Sequence, residues 1–321
     1  MNSRKFTRRI NPLILILIAA GCTTEHGYDF QTVKSKAQKG DTRAEYQLAQ
    51  FYARGSEVPQ DYVKAAEYFQ KSAEQGYAYA QTDLGSYYAR GLGVKQDFTE
   101  AIKWYREAAA QNDSLAEYCL GYAYAHGDGV PQDFEQAVNW WQKSAAGGQV
   151  EAQNALGQFY FRGEFPGDTN HINYDASAKW LRRASEQDYV EAMNNLAFLY
   201  QNGWGVKKDL EQAAQWYRRA AQRGDALAQA NLGSMYQDVN GVPRDFVQAY
   251  KWFALSAGQR NTVGLRFFNE YNEKRLLSSE QFAKARQMVI DFQSQVRTNN
   301  PGADSKSDIN RNVKTDESTL R

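Results

Sequence analysis

The chain has 321 residues, 42% of them apolar, which is enough to build one large or two ordinary domains around a core. Its 38 Lys and Arg stand against 37 Asp and Glu with no basic stripe, which argues against nucleic acid as a partner. Two cysteines, Cys22 and Cys119, are too few for a disulfide framework.

The first residues read as an address rather than as fold. Arg4, Lys5, Arg8 and Arg9 precede a short apolar run, "PLILILIAAG", that ends in small residues. The run falls short of the roughly 20 apolar residues a membrane-spanning helix needs, so residues 1–21 read as a secretory signal. With Cys22 directly after Ala19-Ala20-Gly21, the segment resembles a bacterial lipoprotein signal, whose last residue before the cut is small and whose next is the cysteine to be lipidated. Ala19 departs from the usual Leu. The alternatives are an ordinary cleaved signal or an uncleaved anchor. The resemblance implies a lipid on Cys22 and a short tether over residues 22–29. Thr23, in place of Asp, resembles the pattern that sorts such proteins to the outer membrane, facing the periplasm.

Residues 30–297 repeat themselves. "LGSYYARGLGVKQDFTEAIKWY" at 84–105 returns as "LGYAYAHGDGVPQDFEQAVNWW" at 120–141 and as "LAFLYQNGWGVKKDLEQAAQWY" at 196–217. The anchors Ala44/Leu48, Ala80/Leu84, Ala116/Leu120, Ala152/Leu156, Ala192/Leu196 and Ala228/Leu232 recur every 36 residues. One interval of 40 is the exception, its extra residues falling in a turn-rich stretch at 163–174. A half-repeat at 30–40 precedes the array and a worn seventh follows from Gly264.

Each repeat predicts two helices. Ala80, Leu84, Tyr87 and Tyr88 lie on one helical face. Gly85, Gly121, Gly157 and Gly233 sit inside that first helix, where Gly is disfavoured by about 1 kcal/mol, which predicts close approach of another helix backbone. Gly91 and Gly127 predict helix ends. Asp97 with Glu100, and Asp133, Asp209 and Asp245 with Gln three residues on, predict capping boxes at the second helix; Asp61 keeps the cap without the box. The column Tyr68, Trp104, Trp140, Trp180, Trp216 and Trp252 is expected to be core between repeats. Gly76, Gly148 and Gly224 close the second helix, and Asp41, Asp113 and Asp225 cap the next.

This pattern, A-x-x-x-L-G-x-x-Y-x-x-G-x-G-V-x-x-D-x-x-x-A-x-x-W-x-x-A-A, is similar to the Sel-one-like repeat, a relative of the tetratricopeptide repeat, in six copies from Asp41 to Gly258. The resemblance implies an all-α fold, a right-handed superhelical solenoid whose first helices line a concave groove. Three loops depart from it: Glu57 replaces the second loop glycine, the fourth repeat loses Gly-x-Gly-Val, and Val239 replaces the first loop glycine. Those loops are expected to bend. A helix over 277–296 should cap the array, and residues 298–321 are polar and read as a disordered tail. Cysteine-rich, disulfide-stapled relatives exist; this chain lacks their paired cysteines, so their properties do not carry over.

No residue set announces chemistry. His26, His126 and His171 lack metal-ligand spacing, Gly91-x-Gly93 lacks the context of a phosphate loop, and no nucleophile with its base is assignable. No metal, cofactor or enzymatic activity is therefore expected. The first-helix columns opposite the core are Tyr46, Thr82, Tyr118, Asn154, Asn194; then Gln50, Ser86, Tyr122, Gln158, Phe198; then Arg54, Arg90, His126, Arg162, Asn202. The resemblance implies that they face the concave groove, the alternative being an ordinary solvated helix face. Tyr118, Tyr122 and Phe198, with Arg54, Arg90, Arg162 and His126, are the candidate contacts for an acidic or amide-rich peptide. The expected function is a lipid-tethered adaptor at the outer membrane, acting in envelope or cell-wall assembly. The alternatives are a surface-exposed or secreted host-interaction factor and a cell-wall-modifying hydrolase.

Overall fold

The computed structural model describes residues 29–163 and 172–299. Among them are fifteen helices and no strand. Helix α1 (Phe30–Ala37) precedes six helix pairs: α2 (Thr42–Arg54) with α3 (Tyr62–Glu74), α4 (Ala78–Arg90) with α5 (Phe98–Ala109), α6 (Ser114–His126) with α7 (Phe134–Ala146), α8 (Val150–Arg162) with α9 (Tyr174–Glu186), α10 (Val190–Asn202) with α11 (Leu210–Gln222), and α12 (Ala226–Asp238) with α13 (Phe246–Gly258). Helices α14 (Thr262–Glu273) and α15 (Ser279–Asn299) follow. Within each compact unit, helices adjacent in sequence pack on one another, except that the last helix, α15, packs on α13, and the chain is an all-α solenoid. It divides into two compact units between Gly147 and Gly148, on a repeat boundary. The signal segment, Cys22, most of the tether and the tail beyond Asn299 lie outside the described residues, as does most of the 163–174 insertion. Helix α15 runs to Asn299, two residues into the expected tail.

The predicted punctuation is present. Asp41, Asp113 and Asp225 accept hydrogen bonds from the backbone two or three residues into the first helices, and Asp61, Asp97, Asp133, Asp209 and Asp245 do so for the second helices. The box is half made. The cap's own N–H donates instead to a tyrosine carbonyl of the preceding first helix, as Asp97 does to Tyr88 at 2.9 Å, and the same bond recurs at Asp61, Asp133, Asn173, Asp209 and Asp245. That bond ties the two helices of a repeat together, which leaves Glu100 to pair with Lys103 at 3.0 Å.

Two expectations about packing need correction. Gly121 meets the Trp141 indole and Gly85 lies 2.7 Å from the Tyr105 ring at its would-be Cβ; side chains of the second helix, more than its backbone, fill these places. The deepest position of the second helix is accordingly Phe69, Tyr105, Trp141, Leu181, Tyr217 and Phe253, all buried. The Trp104 column one residue earlier is half-buried except for Trp252, and each ring carries a cation over it, from Lys143 at 4.4 Å from Trp140 to Lys103 at 5.4 Å from Trp104. Adjacent helix positions differ by 100°, so one turns into the core while the other lies at its rim.

Two of the three deviant loops keep the left-handed backbone of the glycine they lack, and the loop of the fourth repeat lies mostly outside the described residues. Val239 holds the left-handed conformation of the glycine it replaces, at φ 60, and Glu57 does the same at φ 65. Gly93, Gly205 and Gly241 press their α-carbons against a backbone carbonyl of the preceding repeat (Tyr62, Tyr174, Leu210), where no Cβ fits. Glu57 has only α1 before it, and its carboxylate accepts from the Phe30 N–H at 3.3 Å.

Candidate interaction surface

Within each unit the first helices stand side by side, and their polar columns meet. The innermost column is not a solvent face. Thr82, Asn154 and Asn194 are buried, and Tyr46 and Tyr118 are half-buried. The column links neighbouring repeats: Thr82 donates to Asp113 at 3.0 Å, Asn154 to Glu191 at 3.2 Å, and Asn231 to Asn194 at 3.2 Å. Tyr118 is therefore in part a packing residue. A second polar layer lies one residue earlier. Glu45, Gln81, Glu117, Gln153 and Gln229 are all buried there, and Gln111, Gln187 and Gln259 reach across to Gln81, Gln153 and Gln229 at 2.8–3.0 Å. Burial without full compensation raises the carboxyl pKa values of Glu45 and Glu117.

In the first unit the outer columns are partly engaged. Arg54 and His126 are exposed and Arg90 is half-buried, with Nη1 closed off from solvent and without a hydrogen-bond partner. His126 stacks on Tyr122 at 3.9 Å, and its Nδ1 lies 2.8 Å from the Tyr122 carbonyl oxygen. A carbonyl only accepts, so Nδ1 carries the proton there and Nε2 is the edge left to a ligand. Burial raises the Tyr122 phenol pKa. Ser86 accepts from the Tyr105 hydroxyl at 3.2 Å.

Asp83 was not among the expected site residues. Its carboxyl is half-buried, takes a hydrogen bond from Tyr46 and faces Asp113, with Arg54 the nearby opposite charge. Desolvation, opposed by the Tyr46 bond, pushes its pKa up to about 7. The signal was there to find: Asp83 is the single carboxylate in the column Gln47, Asp83, Cys119, Ala155, Asn195, Asn231.

In the second unit Arg162 and Phe198 line one slot of about 90 Å³, together with Gln158, Phe161, Leu181 and Asn195. Glu191 accepts from Gln158 at 2.8 Å as well as from Asn154. Phe198 continues into an aromatic shelf. It lies 6.0 Å from Phe161 and 5.5 Å from Trp204, which stacks on Tyr174 at 4.9 Å. Phe198 is 36% and Trp204 37% exposed, a high share for rings already packed on others. Asn202 turns back on its own helix, donating to the Phe198 carbonyl. Spacing alone had not linked Trp204 to Phe198, because Trp204 belongs to a loop that the helical columns do not sample.

The surface thus offers cations, amides and partly exposed rings. That chemistry recognises peptide groups. Among the described residues no three His, Cys, Asp or Glu side chains gather as a metal site, and no helix is long and apolar enough to cross a membrane. The Sel1 repeat model matches residues 42–77, 78–113, 114–149, 150–189, 190–225 and 226–261, in register with the six helix pairs. The chain belongs to the Sel1 repeat family. Proteins built from Sel1 repeats generally act as protein–protein interaction scaffolds. A protective antigen present in uropathogenic Escherichia coli strains, which displays an SLR fold, is 33% identical, with a TM-score of 0.72 over 84% of this chain and 57% of its own. This chain therefore spans just over half of that relative. A Sel1 repeat protein from Oxalobacter formigenes is 27% identical, with a TM-score of 0.62 over 71% of this chain and 90% of its own. No curated protein matches the sequence.

Proposed function

We propose that this Sel1 repeat protein is a non-enzymatic scaffold, tethered to the bacterial outer membrane by a lipid on Cys22, that binds a protein or peptide through the faces of its first helices. The observation that carries the binding surface is the convergence of Arg162 and Phe198 on one slot beside a partly exposed aromatic shelf. The tether rests on the residues around Cys22 alone, and its direct test is metabolic labelling with a clickable palmitate analogue. Label retained in wild type and lost in Cys22→Ala supports lipidation; equal labelling of both removes the anchor from the proposal. Facing the periplasm, such a scaffold would organise partners in envelope or cell-wall assembly.

A second reading is display at the cell surface toward a host. It is favoured by the Escherichia coli relative, described as a protective antigen. Protease shaving of intact cells separates the two. Cleavage before the outer membrane is permeabilised supports surface display, and protection until permeabilisation supports the periplasmic scaffold.

A further inference from the structure

The slot of the second unit combines two demands within the span of one residue. The slot is small, about 90 Å³, so it suits one side chain rather than a run of chain. Phe161, Leu181 and Phe198 give it apolar walls; Arg162, Gln158 and Asn195 give it polar ones. Leu181 is fully buried, so it forms a floor rather than a rim. Arg162 is exposed and is the one cation on the wall. It already makes a contact of its own, yet a guanidinium has five N–H donors in a fork suited to a carboxylate. The carboxylate of Glu191 is held by the Asn154 and Gln158 amides.

An internal leucine would fill the apolar part and bring no charge. An internal aspartate or glutamate would bring the charge and leave the apolar walls wet. Among peptide groups, a chain terminus with an apolar last residue presents a branched side chain and a carboxylate on the same Cα. The Asn195 amide and the Gln158 carbonyl match the last peptide bond, while a Gln158 N–H is already given to Glu191.

We propose, building on the scaffold reading above, that this slot receives the C-terminal residue of a partner protein, its apolar side chain against the Phe161–Phe198 pair and the Leu181 floor and its free carboxylate on the Arg162 guanidinium. The charge complementarity is one cation to one terminal carboxylate. The residues before the terminus would run over Phe198 toward Trp204.

The test uses the full chain and N-terminally fluorescein-labelled hexapeptides, Gly-Ser-Gly-Ser-Ala followed by each natural residue, as free acids and as C-terminal amides, read by fluorescence polarisation. Acids ending in Leu, Ile, Met or Val are expected to bind at least tenfold more tightly than their amides. Arg162→Gln should erase that preference with an unchanged circular dichroism spectrum and thermal midpoint, and Phe198→Ala should weaken the Leu-ended acid while keeping its preference over the amide. Equal binding of acids and amides, a preference that survives Arg162→Gln, competition by free leucine at equal concentration, or no binding by any peptide overturns the assignment. If it falls while a photoreactive residue at Tyr122 still captures one identified partner in cells, the scaffold reading stands without it; if that capture fails too, both fall.

Discussion

The two compact units share a backbone plan and differ in what they bury between first helices. The first unit places carboxylates there: Glu45, Asp83 and Glu117. The second unit places neutral groups at equivalent positions: Gln153, Met193 and Gln229 in one column, Ala155, Asn195 and Asn231 in the other. Gln75 donates to Glu45 at 2.6 Å, but at Glu117 the residue corresponding to Gln75 is Gly147, so that amide is missing. The repeat specifies where these side chains must sit and leaves their charge free to vary. A carboxylate in place of its isosteric amide keeps the geometry and adds a proton-dependent term to stability.

The largest expected effect should be equal in both units. Gly93→Ala and Gly205→Ala each drive a Cβ into a backbone carbonyl of the preceding repeat, Tyr62 or Tyr174, which cannot move aside as a side chain can. Each should lose at least about 3 kcal/mol in urea denaturation. Tolerance in one unit alone would break the claim of a shared plan.

The next effect should separate the units. The folded pKa of Asp83, about 7, lies above the ordinary 3.8, so the folded state holds the extra proton between those values. Its contribution is present below about pH 4 and is lost as pH rises through 7. Asp83→Asn should therefore change little at pH 4 and stabilise by the order of 1–3 kcal/mol at pH 8, removing much of the wild-type decline. The reciprocal Asn195→Asp, at the equivalent half-buried position, should install a decline in the second unit. Parallel pH profiles for wild type and Asp83→Asn would contradict the comparison.

Smaller still is the strain in the sixth repeat. Val239 is β-branched and left-handed, so Val239→Gly should raise stability by up to about 1 kcal/mol, net of the flexibility that glycine adds to the unfolded chain. A loss on this change would show that the Val239 side chain packs usefully. The smallest effect belongs to Asp188, which meets Arg219 at 2.9 Å and Arg223 at 2.6 Å on an exposed face. Asp188→Asn should cost at most about 1 kcal/mol, and the difference should vanish in 1 M salt.

Much of the fold was legible because a repeat announces its own period. Asp, Gly and Ala returning at fixed offsets in most of the six copies reveal caps, helix ends and close contacts without any neighbour being known. The misses share a cause: they depend on what sits across from a residue. Periodicity marks a face of the second helix but cannot choose between Trp104 and Tyr105, which are 100° apart on it. Thr82, Asn154 and Asn194 are polar and lie opposite the core anchors, so they read as exposed; they are buried because the next first helix packs against them through hydrogen bonds. The candidate site was legible to the level of single columns. Arg162 and Phe198 were named without the slot that joins them, since Phe161, Leu181 and Trp204 come from other columns and from a loop.

The central claim is that first-helix faces, not the outer helices, meet the partner. In-cell photocrosslinking tests it most directly, with a photoreactive residue in turn at Tyr122 and Phe198 on first helices and at Lys103 and Lys179 on second helices. One and the same protein, identified by mass spectrometry and captured from Tyr122 or Phe198 but not from Lys103 or Lys179, is the predicted result. Equal capture from both sets, or capture from Lys103 and Lys179 alone, would contradict the account.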